Sequence, residues 1–211
     1  MKAKFRWAIL GLIAGFWAQP GSAAVLFSDN FDSTPQNLNQ FTFSNWTVSA
    51  GAVDVIGTGS YDFYPGNGNY VDLNGSNGQF GALSSKTIFG PGTYTLSFFL
   101  GSSQGGDGNV GPGPKTTNVT FGDFSTSITL PSAFGPTLQT FTFTTTTAGN
   151  LVFTSVPDGG NLAPYIGNIL DNVQVSAVPE PATWLMMLLG FASIGFAAYL
   201  RTKRNVVATV G

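Results

Sequence analysis

Between Asp54 and Asp72 the chain interleaves carboxylates with phenols: Asp54, Tyr61, Asp62, Tyr64, Tyr70 and Asp72, with Asn67 and Asn69 among them. Two chemistries follow from those residue types. Two carboxyl groups flanking a glycosidic bond can hydrolyse it. Aromatic rings beside amides instead suit a sugar bound intact, its C–H faces on the rings and its hydroxyls paired with Asn and Asp. The sequence favours binding. No spacing sets two of these carboxylates on one strand face, and one acid would need a pKa raised by burial or a neighbouring charge. The sugar-binding candidates are Trp46, Tyr61, Tyr64 and Tyr70, each with a place in the core as its competing assignment.

The remaining chemistry is narrow. The chain of 211 residues contains no His and no Cys. A Ser-His-Asp triad, a cysteine nucleophile, a His or Cys zinc site and a disulfide framework therefore lack their atoms. Charged residues are 9% of the chain, and the net charge of −2 gives no clustered cations for phosphate, so no nucleic acid partner is expected. The sequence reads as non-catalytic.

Charge divides the chain into three. Lys2, Lys4 and Arg6 open it, Arg201, Lys203 and Arg204 sit near its end, and only Lys86 and Lys115 lie between. Against those two lysines the body sets nine aspartates, a net −7. The basic start, the apolar run Trp7–Ala18 and the small residues Gly21–Ala24 read as a secretory signal over 1–24, removed by signal peptidase. Near the other end, residues 182–200 form an uncharged apolar run, close to the ~20 residues that cross a bilayer. Trp184 and Tyr199 stand near its ends, and Arg201, Lys203 and Arg204 follow it. The positive-inside rule then places a short tail, 205–211, in the cytoplasm and the body, 25–177, outside.

Pro179-Glu180-Pro181 stands just before this run. Each proline fixes its own φ and pushes its predecessor out of the helical region, so the strip is held extended. Val178-Pro179-Glu180-Pro181-Ala182-Thr183-Trp184, the apolar run and the basic cluster together resemble the PEP-CTERM sorting signal of exopolysaccharide-producing bacteria, over 178–204. The resemblance implies that an exosortase in the membrane recognises the tail and cuts near Pro179-Glu180-Pro181. It also implies a cell-surface or extracellular destination and a link to exopolysaccharide.

The body has dense strand signals. Alternation or β-rich runs appear at 41–43, 46–48, 53–56, 70–73, 93–100, 118–121, 124–130, 139–146, 151–156 and 169–175. About ten short strands separated by Gly, Pro and Asn predict an all-β, antiparallel sandwich or jelly roll. Gly122-Asp123 reads as a two-residue hairpin connection. In 139–146, Phe is expected inward and Thr outward. Asp29-Asn30-Phe31-Asp32, Tyr70–Gly75, Gly90–Leu96 and Gly167–Val173 resemble the galactose-binding-like jelly rolls. That resemblance implies pairing of the first and last strands, and a structural calcium ion shared by Asp32 and Asp171. The segment Gly101–Pro114 imitates a phosphate loop, but Pro114 has no N–H to offer a phosphate, and a surface loop is expected. The expected function is a non-catalytic cell-surface or matrix protein, with exopolysaccharide binding as the alternative and glycoside hydrolysis behind both.

Overall fold

A computed structural model of the chain describes residues 23–59, 61–102, 113–157, 164–178 and 183–208. The chain divides into two units, one of them Ala23–Pro179 and the other containing the helix near the C-terminus. Of the signal expected over 1–24, residues 1–22 lie outside the described residues, as do Pro179, Glu180 and Pro181 and most of the loop Gly101–Pro114.

The body is two antiparallel sheets. One contains β1 (Ala24–Asp29), β2 (Asn37–Gln40), β4 (Val53–Gly57), β5 (Asn69–Asp72), β7 (Gly92–Ser102), β10 (Thr137–Thr145) and β12 (Asn168–Ala177). Its order is β10-β7-β12-β5-β4-β2, with β1 on β12 as a branch. The other contains β3 (Trp46–Ala50), β6 (Ala82–Phe89), β8 (Lys115–Phe121), β9 (Phe124–Leu130) and β11 (Gly149–Val156). Its order is β3-β6-β11-β8-β9. The first and last strands pair, Ala24 opposite Ala177 and Asp29 opposite Val173.

Local pattern explains most strands. In β10, Phe141 and Phe143 pack against the core while Thr140, Thr142 and Thr144 face water. Gly122-Asp123 closes the β8–β9 hairpin, with Phe121 opposite Phe124. Gly122 has φ +59° and sits where a Cβ would fall 2.3 Å from Thr145 Oγ1, a position that requires glycine. Two strands escape sequence patterning. β1 begins inside the small-residue end of the expected signal. β6 carries Ser84, Ser85, Lys86 and Thr87 and is a strand because β3 and β11 flank it on both sides. The strand expected at 41–43 forms instead at Asn37–Gln40, since Phe43 drops into the core and leaves only a Thr42–Thr47 bridge behind.

The core between the sheets is aromatic. Trp46 is 1% exposed and meets Phe27 edge-on with centroids 5.1 Å apart, a favoured ring geometry. Phe31, Phe98, Phe121 and Phe153 are fully buried around the same cluster. A second, smaller cluster of Ile56, Tyr64, Tyr70 and Ile169 lies apart from it. Strand alternation places Ile56, Tyr70 and Ile169 on the outer side of the larger sheet, because Val55, Val71 and Leu170 face the main core. The segment between β4 and β5 folds over that outer face and supplies Tyr64.

The helix α1 (Thr183–Ala208) continues through Arg201, Lys203 and Arg204, beyond the span expected at 182–200. Its described apolar side chains, among them Leu188, Phe191, Ile194 and Phe196, are all exposed. Among the described residues, no helix is long and apolar enough to cross a membrane.

Candidate functional site

The outer face of the larger sheet forks at Asn172. The first half of β12 pairs with β5, Ile169 opposite Asp72, and its second half pairs with β1 from Val173 onward. Against β7 the register slips at the same place: Asp171 stands opposite Phe99, but Gln174 stands opposite Ser97. β12 thus has one residue more than β7 across this interval, a bulge that bends the strand and redirects a side chain. Asn172 takes φ +49°, a left-handed conformation that Asn tolerates better than most residues. The bulge leaves Asn172 and Gln174 both exposed, with Val173 buried between them.

Asp171 is held at this fork by its neighbour. Asn172 donates from its backbone N to Oδ1 at 2.7 Å and from Nδ2 to Oδ2 at 2.9 Å. Burial pushes the Asp171 carboxyl up to about 7, and the charges of Asp32 and Asp29 push the same way against the Asn172 hydrogen bonds. Asp32 accepts the Asn69 N–H at 2.8 Å, tying the turn after β1 to the start of β5. Asp29 accepts Trp46 Nε1–H at 3.0 Å and Asn45 Nδ2–H at 2.9 Å. The fold therefore brings Asp32, one of the expected calcium pair, near enough for its charge to act on the other, Asp171. Among the described residues no group of three or more acidic side chains gathers closely enough to hold a metal, so backbone carbonyls and water would have to complete six to eight ligands.

Two hollows adjoin the fork. One, of about 70 Å³, lies between Tyr64, Asn67, Phe99 and Asp171. The other is an open cleft of about 650 Å³. Both share Phe99 and Asn172. On the far side of the segment between β4 and β5 a third hollow, of about 260 Å³, is walled by Leu38, Tyr61 and Tyr165 above Asp54 and Asp72.

Asp54 and Asp72 are register partners on β4 and β5 and nearly fully buried, so the tertiary structure does set two carboxylates side by side on one sheet face. Both tie down loops. Asp54 accepts from the backbone N of Asn39 and Ser76 and from the Ser76 hydroxyl. Asp72 Oδ1 accepts from Asn74 N at 2.9 Å and Gly167 N at 2.8 Å. Burial pushes the Asp72 carboxyl up to about 8; the Asp54 charge adds to this, while the Asn74 and Gly167 N–H groups and the Lys115 charge oppose it.

The four aromatic candidates divide. Trp46 belongs to the core and offers no ring face to a sugar, because Phe27, Phe31 and Phe153 surround it. Tyr70 is fully buried, its oxygen accepting the Phe63 and Tyr64 N–H groups, and burial raises its phenol above the ordinary value. Tyr64 is 8% exposed and donates to Ser102 O and Phe134 O; it forms an end wall of the smaller hollow rather than a platform. Only Tyr61 is exposed, and it lies on the third hollow. The expected cluster fails as one site because three of its rings are consumed by packing.

The polar residues around the open cleft were not singled out by sequence, yet one signal was present. In Thr93–Leu100 the solvent-side register reads Thr93, Thr95, Ser97 and Phe99, an aromatic ring closing a row of hydroxyls. Asn74, one of three Asn-x-Ser/Thr matches in the chain, is fully buried and donates to Pro164 O at 2.7 Å, so it presents no acceptor amide to a glycosyltransferase.

These features define an antiparallel β-sandwich followed by a separate C-terminal helical tail. Residues 177–204 match the PEP-CTERM protein-sorting motif, the segment that carries the expected sorting signal. The chain is similar to the Stig cyclase Fisc from Fischerella sp. TAU, with 17% identity, 76% of this chain and 99% of that chain covered, and a TM-score of 0.48. It is also similar to the N-terminal CBM22-1-CBM22-2 tandem domain of Paenibacillus barcinonensis Xyn10C, with 12% identity, 78% of this chain and 52% of that chain covered, and a TM-score of 0.47. The CBM22-1 xylan-binding domain of the same protein gives 14% identity, 75% of this chain, 97% of that chain and a TM-score of 0.44. Among curated proteins none matches the sequence. Likeness of this degree leaves function to the chain's own residues.

Proposed function

We propose that this is an exported, non-catalytic surface protein whose C-terminal tail is recognised and processed by an exosortase. The observation that carries the reading is the match of 177–204 to the sorting motif. The order of parts in the sequence supports it: Pro179-Glu180-Pro181, the uncharged apolar run 182–200 and the basic cluster Arg201, Lys203 and Arg204. In this reading the uncharged apolar run 182–200 works as the membrane segment, being close to the ~20 residues that cross a bilayer. The signal peptide over 1–24 and signal peptidase deliver the body outside.

Mass spectrometry of the mature protein from its native cell tests the tail. The expected C-terminus lies near Pro179-Glu180-Pro181, and Glu180→Ala leaves the full tail attached and the protein in the membrane fraction. Surface molecules that all retain 183–204 would overturn exosortase processing.

A second reading, that the body binds exopolysaccharide, is supported by the Ser, Asn and Gln side chains that line the open cleft. A structural calcium ion at Asp32 and Asp171 is a separate proposal, supported by the mutual repulsion that a cation would relieve. If calcium binds, the melting temperature rises with added calcium and falls with EDTA, by the equivalent of ~2.7 kcal/mol at a hundredfold excess over Kd. Identical melts remove the ion.

A further inference from the structure

The open cleft is built from four adjacent strands and one turn. Its floor is Ser97 and Phe99 on β7, Leu138 on β10, and Asn172 and Gln174 on β12. Leu138 stands opposite Phe99, so two apolar side chains lie next to each other in the middle of a polar face. The wall is the end of β1, with Ser28, and the turn after it, with Asn30 and Ser33, joined by Asn45. Among the described residues, the hydroxyls of Ser28, Ser33 and Ser97 and the amide oxygens of Asn45, Asn172 and Gln174 accept or donate no hydrogen bond.

The chemistry of this lining is selective. Among the described residues Asp29 is its one ionisable group, and both Asp29 oxygens already accept N–H donors from Phe31, Asn45 and Trp46. Among the described residues no lysine or arginine lines the cleft, and the body carries a net −7. A phosphate, sulfate or uronate would enter against that field with no cation to meet it. Amides and hydroxyls both donate and accept, as sugar hydroxyls do, and Phe99 with Leu138 supplies an apolar strip for sugar C–H groups. The volume of about 650 Å³ lies within the range of small-ligand sites and is open at the surface, which suits part of a long chain.

We infer that the cleft floored by Phe99, Leu138, Asn172 and Gln174 binds a neutral oligosaccharide segment, with Phe99 as its platform. This rests on the reading of the body as a polysaccharide-binding domain. It also moves the binding residues away from the tyrosines between Asp54 and Asp72.

The test uses the full chain in detergent, and affinity electrophoresis against a panel of neutral and uronic-acid polysaccharides, with a Tyr61→Ala control. The expected result is retardation by at least one neutral polysaccharide, unchanged by Tyr61→Ala and by 0.5 M salt. Phe99→Ala and Gln174→Ala should each weaken it at least tenfold. Asn172→Gly, which keeps the left-handed backbone, should do the same. Melting temperatures for each variant separate lost contacts from lost fold, and Gln174→Ala, an exposed change, covers the case in which Phe99→Ala unfolds. Retardation untouched by the Phe99, Asn172 and Gln174 variants would overturn the cleft while leaving polysaccharide binding standing. Retardation by acidic polysaccharides alone would overturn the neutral class. Binding to none of the panel would overturn both readings.

Discussion

Trp46→Ala destabilises the sandwich by about 3–5 kcal/mol, the usual cost of emptying a large aromatic site in a core. The side chain is 1% exposed, and its ring contacts with Phe27, Phe31 and Phe153 join β1, the turn after it, β3 and β11. The melting temperature should fall by roughly 6–20 °C for a domain of this size. Trp46→Phe keeps most of the ring but removes the Nε1–H donor to Asp29, so it should cost less, about 1–3 kcal/mol. Urea unfolding followed by tyrosine fluorescence or circular dichroism measures both. A loss below ~1 kcal/mol for Trp46→Ala would contradict the core position, since surface changes usually stay within ~0.5 kcal/mol. Any loss of polysaccharide binding in Trp46→Ala would report unfolding, and the experiment on the cleft therefore leaves Trp46 alone.

The second large effect is a fall in stability as pH rises. Burial raises the Asp72 carboxyl to about 8 in the folded protein, against about 3.9 in an unfolded chain. Below pH ~4 both states hold the proton and the group adds no slope. Between ~4 and ~8 the unfolded chain has lost a proton that the folded protein keeps, so stability declines with pH, by at most ~1.4 kcal/mol per unit. Above the folded value both states are ionised and the slope ends. Asp171, raised to about 7, adds a slope of the same sign over a shorter window, reduced by solvent near the fork. Asp72→Asn retains an Oδ1 for the Asn74 and Gly167 N–H groups but titrates no proton, so its stability should be flatter with pH and higher than the parent's at pH 8. Urea midpoints at pH 4.5, 6 and 7.5 decide the matter. Parent stability that rises over this range, or an Asp72→Asn protein that follows the parent curve, would show that Asp72 is not a buried neutral acid.

Asp54 and Asp72 show where sequence reasoning stops. They are eighteen positions apart, and nothing in the intervening Tyr and Asn residues fixes their geometry. The β4–β5 register puts them opposite each other, and two loops then close over them by hydrogen bonds. Trp46 and Tyr70 teach the reverse lesson. Their types suit a sugar site as well as a core, and the choice depends on whether neighbours cover them. Phe99 was legible in part, as the aromatic that breaks the hydroxyl row of β7. Asn172 was not, because strict alternation of two gives no warning of an extra residue.

The sequence alone determined the sorting motif at 177–204 and the all-β class of the body. A charged tip, an apolar run and a Pro-Glu-Pro strip are consecutive residues read in order, and alternating Phe and Thr defines a strand face over a few positions. Both signals are local, so no distant contact is needed to read them. The tertiary structure alone decided which rings are core, which carboxylates are neighbours and where the open cleft lies. Those depend on strand register and on one bulge in β12, and register joins residues as far apart in the chain as Asp29 and Val173. One extra residue there turns a side chain that alternation would bury toward water. That single displacement lines the cleft with Asn172 beside Gln174.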